Sequence, residues 1–302
     1  MGSIVKWAKF GSWSGPYIKG TVPYVLPANP TGFDIIVAAI AKPEGGDYDT
    51  FVAYDGTAVT YGLLQWTFTS GRLHKLLYAT MNAMPAGSYF DLLGHPLQEL
   101  TGLNVDSTNG VLYLGDNKKV IDFFSLRDVC TPPNGQCPKV GKNWEKAKAI
   151  ALLFSKLGEN PIAQKVQIDF FREELRKEIT FKRPMMGGAT IGTYLYPDGW
   201  DDDTNMVNPS VAAARALFWG MWQNSPRKAE QLLDTAARGF FIPLENLDHL
   251  RRLAKLFANT SFGRWGVGKA KKAEKPYTSR YQKVAEAINK AMQQIIVPEL
   301  WK

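Results

Sequence analysis

The sequence predicts a mainly α fold of the α+β class, in which a small antiparallel sheet precedes a helical C-terminal half and the two parts form two lobes. Three observations carry this. Short β-branched and aromatic stretches are joined through turn residues between positions 50 and 66. From Asn143 onward, apolar stripes recur near the helical period. Asn-Pro and Ser-Pro pairs precede three of those stripes, placing a capping residue and then Pro at the first helical position.

In chain order, residues 1–30 mix Gly, Pro and aromatic residues without a steady period, and read as an irregular N-terminal arm. FDIIVAAIAK, 33–42, is an apolar run of the length of a short buried helix, ended by Pro43, Gly45 and Gly46, which puts Glu44 just past its end. TFVAY and TAVTYGLLQW follow, joined through Asp55-Gly56, a tight-turn pair that predicts a hairpin. Ser70 is placed to cap the helical pattern GRLHKLLYATMNAM, whose Leu73, Leu76 and Leu77 share a stripe. GVLYLGDNKKVIDFF predicts a second hairpin turning at Asp116-Asn117. Residues 31–142 thus form one lobe.

The second lobe, 143–302, holds NWEKAKAIALLFSKLG, ended at Gly158, then NPIAQKVQIDFFREELRKEI, NPSVAAARALFWGMWQ, SPRKAEQLLDTAARG, PLENLDHLRRLAKLFANT and a last amphipathic stretch, YQKVAEAINKAMQQIIVPELW. Two segments interrupt these helices: a long connection over 181–207 and a basic, polar stretch at 268–280.

Composition narrows the function. A core is affordable at 302 residues and 45% hydrophobic content, so disorder is not expected. Nine Trp, twelve Tyr and sixteen Phe supply either core anchors or stacking surfaces for sugar rings. The net charge of +8 favours a polyanionic partner such as nucleic acid, anionic membrane or anionic cell wall, and counts against a polycationic polysaccharide such as chitosan. No run reaches the roughly 18 apolar residues of a membrane span, and the N-terminus lacks an apolar signal core. The chain is therefore expected to be made in the cytoplasm and to contain no membrane span. Cys130 and Cys137 frame one short loop and can clip it only in an oxidising compartment. With His74, His95 and His249 scattered, no metal-ligand spacing appears, and neither metal nor cofactor is expected.

Glycoside hydrolysis requires a protonated carboxylic acid beside the leaving oxygen, and a nucleophile or activated water on the opposite face of the sugar. A Glu at a helix end facing a sheet suits the first role, because burial against apolar neighbours keeps it protonated near neutrality. PEGGDYDTFVAYDGTAVTYGLLQWT, 43–67, resembles the catalytic segment of the lysozyme-like superfamily. In that superfamily, goose-type lysozymes and lytic transglycosylases follow a helix-end Glu with a similar Gly-Leu-Leu-Gln motif. Glu44, Asp55 and Thr60-Tyr61-Gly62 also echo the order of phage-type lysozymes, and GLLQWTFTSGRLHKLL is similar to phage tail-associated and spore-cortex muralytic domains. The resemblance covers about residues 33–80.

The resemblance implies a lysozyme-like fold and peptidoglycan cleavage at β-1,4 bonds, with Glu44 as the acid and Asp55 or Thr60 managing charge or water. Asp47 and Asp49 lie within similar reach, and Asp55 is equally explained as the turn residue of its hairpin. For substrate contact, Gly62 would admit close approach, Gln65 would bond an N-acetyl group, and Tyr61, Trp66 and Thr67 would line the floor; the core reading of Trp66 is equally open. The acidic run WDDDTN, 200–205, reads as a solvated loop, or else as a cleft wall or cation site. The partner expected is peptidoglycan, reached in the periplasm or outside the cell through a holin, a virion or a secretion machine, and nucleic acid is not. The rival readings are a chitosanase- or chitinase-like glycosidase and a basic virion or nucleic-acid-binding protein without catalysis, the latter resting on clusters such as KAKKAEK and RRLAK.

Overall fold

A computed structural model describes residues 4–10, 13–44, 46–53, 59–68, 70–101, 103–105, 112–114, 119–120, 142–180, 192, 195–196, 209–224 and 226–237. It is mostly helical with small antiparallel sheets, as the sequence predicts. Outside the described residues lie Asp55 with its turn, the Asp116-Asn117 turn, both cysteines, the acidic run at 200–205, and the predicted helices over 243–260 and 281–301.

The N-terminal arm is irregular over 19–31 but regular before it. Strands β1 (Val5–Phe10) and β2 (Trp13–Ile18) pair antiparallel and open a five-stranded meander completed by β3 (Phe51–Val52), β4 (Thr60–Tyr61) and β5 (Trp66–Thr67). Pro16 and Gly15 hide this strand from a periodicity reading, since both are poor strand formers. The hairpin expected across 55–56 is present as the β3–β4 pairing, with Phe51 opposite Tyr61 and Val52 opposite Thr60. Strands β6 (Leu103–Val105), β7 (Leu112–Leu114) and β8 (Lys119–Val120) form a second antiparallel sheet that includes the other expected hairpin.

Contacts divide the chain into two compact units that interleave along it, Met1–Tyr24 with Gly45–Phe171, and Val25–Glu44 with Arg172–Lys302. In the first unit, α2 (Arg72–Ala83) buries Leu73, Leu76, Leu77 and Thr80 along the stripe read from sequence. Its N-cap is Gly71 at φ 73° rather than Ser70, whose hydroxyl oxygen instead accepts the Arg72 N–H at 3.3 Å. A π-turn, Phe90–Gly94, leads into α3 (His95–Thr101).

Helices α4 (Lys142–Glu159) and α5 (Pro161–Thr180) follow, joined at Asn160, whose Oδ1 accepts the N–H groups of Ile162 and Ala163 at 2.9 and 3.3 Å. This is the Asn-Pro start signal in use. Sheet register explains why α4 and the part of α5 up to Phe171 belong with the strands. Ile18, Phe51, Tyr61 and Trp66 lie in one cross-strand row, and all four are buried. Phe154 of α4 packs its ring 5.3 Å from Phe51 and 5.2 Å from Tyr61, and Phe170 of α5 lies edge-on to Trp66 at 6.0 Å. The neighbouring row, Tyr17, Val52, Thr60 and Thr67, points to the opposite face, because side chains alternate along a strand.

The second unit is built around α1 (Gly32–Glu44), which runs through Pro43 so that Glu44 is its last residue rather than the first beyond it. A shift of this size is within the ordinary fraying of a helix end. Thr31 and Asp34 form a reciprocal cap: the Asp34 carboxylate accepts the Thr31 N–H and hydroxyl, both at 2.8 Å, and the Asp34 N–H donates to Thr31 Oγ1 at 3.2 Å. Phe33, Ile35, Ile36, Val37, Ala39, Ile40 and Ala41 are all buried, as expected of a helix apolar nearly all round. Its neighbour is α6 (Pro209–Asn224), whose Gly220 faces Ile40, and α7 (Pro226–Ala237) packs on α6. Trp219 of α6 donates its indole N–H to Tyr196 Oη at 2.9 Å, satisfying a buried donor. Among the described residues, no helix is long and apolar enough to cross a membrane.

Candidate functional site

The Gly-Leu-Leu-Gln motif is the four-residue loop joining β4 to β5. Gln65 N–H donates to the Gly62 carbonyl at 3.1 Å, and both ends of the loop are left-handed, Gly62 at φ 80° and Gln65 at φ 58°. Gln65 is the one non-glycine with positive φ among the described residues. Its side chain secures that conformation, since Nε2 donates to the Gly62 carbonyl at 2.7 Å. Leu63 and Leu64 at the tip are fully buried, which is unusual for a hairpin loop, because a buried loop must find partners for its backbone.

Those partners come from α5 and from the segment after Glu44. Gln167 is buried, and its Oε1 accepts the Leu63 N–H at 2.8 Å while its Nε2 donates to the Tyr48 carbonyl at 3.1 Å and to Tyr61 Oη at 3.4 Å. Gly46, two residues beyond Glu44, lies so close to the Leu63 carbonyl that a Cβ would strike it. Gly158, at the end of α4, meets the Tyr48 carbonyl and Asp49 Cα in the same way. The segment 46–50, the motif loop and the two helices are therefore one tightly fitted assembly.

Within it the expected site residues separate. Tyr61 and Trp66 belong to the core row, closed over by Phe154 and Phe170, so neither presents a face to a sugar ring. Burial is the first cause of a Tyr61 phenol pKa pushed well up, with the Asp49 carboxylate and Tyr89 adding to it and the Gln167 hydrogen bond opposing it. Tyr61 is a proton-bearing core group, not a base. Thr60 and Thr67 stand opposite each other on the other face, Thr60 buried and Thr67 half-buried with its hydroxyl donating to Ser70 Oγ at 2.8 Å. Gln65 is half-buried at the turn. Glu44 is placed at the end of α1 by its backbone.

Among the neighbouring carboxylates, Asp49 is fully buried and serves the backbone. Its oxygens accept the Thr21 N–H at 2.8 and 3.0 Å, the Thr21 hydroxyl at 3.2 Å and the Val22 N–H at 3.0 Å. A carboxylate so engaged ties the irregular stretch after β2 to the 46–50 segment and is closed to substrate. His74 packs its ring 4.6 Å from Phe68; its Nε2 is buried without a hydrogen-bond partner among the described residues, and burial lowers its pKa, so its imidazole is neutral near pH 7. No group of three or more His, Cys, Asp or Glu suited to a metal ion occurs among the described residues.

Sequence reasoning missed Gln167, although a signal was there: it sits at the spacing of Ala163 and Phe171 on the apolar stripe of its helix, and a polar residue in a core position implies specific partners. Gly46 was read only as a helix stop. Compared with protein-family models, with curated proteins and with solved structures, the chain has no significant match.

Proposed function

We propose that this chain is a lysozyme-like muramidase that cleaves β-1,4 glycosidic bonds of peptidoglycan, with Glu44 donating the proton to the leaving oxygen. The observation that carries the reading is the junction after α1. Glu44 closes a buried apolar helix and is followed two residues later by Gly46, which is fitted against the Gly-Leu-Leu-Gln loop of a small antiparallel sheet. A helix-end Glu followed by a sheet and this loop is the order that the resemblance rests on. Burial of Tyr61 and Trp66 leaves Gln65 and Thr67 as the polar side chains of the motif for substrate contact, and burial of Thr60 favours Asp55 for managing charge or water. The net charge of +8 suits an anionic wall and disfavours chitosan. A phage endolysin, a virion-borne lysin and an antibacterial effector are the contexts that fit.

The test is Glu44→Gln, which keeps shape but cannot deliver a proton. Clearing of permeabilised cells should fall by about 10²–10⁴-fold. Retention of more than about a tenth of wild-type clearing by folded protein removes Glu44 from the acid role. Mass spectrometry of the released fragments assigns the chemistry, reducing ends marking hydrolysis and anhydro ends marking transglycosylation.

A further inference from the structure

We infer that Gln167, far from the motif in sequence, is a positioning residue that holds the Gly62–Gln65 loop in register with the segment following Glu44. The inference rests on the muramidase reading for its link to turnover and on geometry alone for the clamp. One carboxamide makes three bonds to two segments: it accepts from Leu63 in the motif loop, and it donates to the Tyr48 carbonyl, four residues beyond Glu44, and to the Tyr61 phenol at the end of β4. Both ends of the amide are used, so the group cannot be rotated without losing its partners. Neither an apolar side chain nor an ionised carboxylate does the same. An apolar side chain leaves the Leu63 N–H and Tyr48 carbonyl unsatisfied, and a carboxylate sets negative charge against the Tyr48 carbonyl.

The loop also leaves space for this clamp. Gly62 at φ 80° places the site of a Cβ 2.5 Å from Gln167 Oε1, so any side chain at this position would displace the amide that holds the loop. Gln65, whose left-handed backbone is fixed by its own bond to Gly62, inherits its placement from the same contact. Gln167 therefore touches no substrate and acts through Gly62–Gln65 and the 46–50 segment.

The experiment compares Gln167→Met and Gln167→Glu with wild type, at a temperature where each is fully folded by circular dichroism. It measures kcat and KM on soluble muropeptide chains, and deuterium exchange at the Leu63 amide. Clamp loss should lower kcat about tenfold or more while KM moves less than about threefold, because misplaced groups slow chemistry more than binding. Leu63 exchange should accelerate in Gln167→Met. Gln167→Glu gives a signature that a merely structural brace does not. When protonated, its hydroxyl donates to Tyr48 and its carbonyl accepts from Leu63, so its kcat relative to wild type should rise as pH falls from about 8 to about 5. Wild-type kcat in folded Gln167→Met, or a ratio for Gln167→Glu that is flat with pH, overturns the positioning role. An inactive wild-type protein whose Leu63 amide is protected only when Gln167 is present overturns the muramidase reading and upholds the clamp.

Discussion

Gly62→Ala should destabilise the first unit by more than its left-handed backbone alone explains, and the excess should vanish when Gln167 is removed. At φ 80° a Cβ costs roughly 1–2 kcal/mol. The added methyl would also sit 2.5 Å from Gln167 Oε1, so the carboxamide must withdraw, stranding the buried Leu63 N–H at a further cost of roughly 1–3 kcal/mol. Gly71→Ala is the internal control: its φ of 73° is nearly the same, and nothing lies within 4 Å of its Cβ site. Urea unfolding followed by Trp fluorescence should show Gly62→Ala losing more stability than Gly71→Ala by roughly 1–3 kcal/mol. In a Gln167→Ala background the Leu63 amide is already stranded, so Gly62→Ala should then cost only the backbone amount. A coupling between the two positions below about 0.5 kcal/mol would refute the account of why this motif carries glycine.

Two further outcomes follow from burial and charge. Tyr61 and Tyr89 have phenol pKa values raised mainly by burial, so below pH 10 both states keep their protons, and as pH climbs above the unfolded value of 10.0 only the unfolded chain releases them. Stability is thus full below pH 10 and should fall by up to about 1.4 kcal/mol per pH unit for each tyrosine until the folded value is reached; a Tyr61→Phe variant with an unchanged alkaline slope would contradict this. If the +8 charge serves wall attraction, lysis of intact peptidoglycan should weaken as salt shortens screening to about 8–10 Å, while cleavage of a soluble muropeptide changes little; equal salt loss on both would place the charge inside the cleft.

Sequence periodicity locates α1 and α2 by their apolar residues alone, and α4, α5, α6 and α7 by longer apolar stripes, the last three of which start at Asn-Pro or Ser-Pro. It did not find β1 and β2, since Pro16 and Gly15 interrupt the strand pattern that pairing with β1 and β3 nonetheless stabilises. The capping pair Thr31–Asp34 was legible in principle but masked by the stronger signal of the apolar run behind it. At the motif, residue types single out the segment 43–67, while the facing of each side chain depends on sheet register. A one-residue change in register would exchange Tyr61 and Trp66 with Thr60 and Thr67 between the two faces, and no local pattern in so short a strand decides between them. Gln167 lies 104 residues from Leu63, beyond the reach of any motif of fixed spacing.

The same register determines which substitutions can speak about substrate. Trp66 is buried against Phe170, and truncating a buried Trp costs about 3–5 kcal/mol, a large share of the stability of any domain. Loss of lysis in a Trp66→Ala protein would not distinguish lost stability from lost sugar contact. Tyr61 is similarly compromised, since its phenol contacts Gln167 and its ring packs on Phe154. Thr67 is different: it is half-buried on the opposite face, and among the described residues its hydroxyl bonds to Ser70 of the local turn. The polar residues of the motif, not its aromatic ones, are therefore where a binding defect can be separated from a folding defect, which inverts the reading that the aromatic richness of the sequence first suggests.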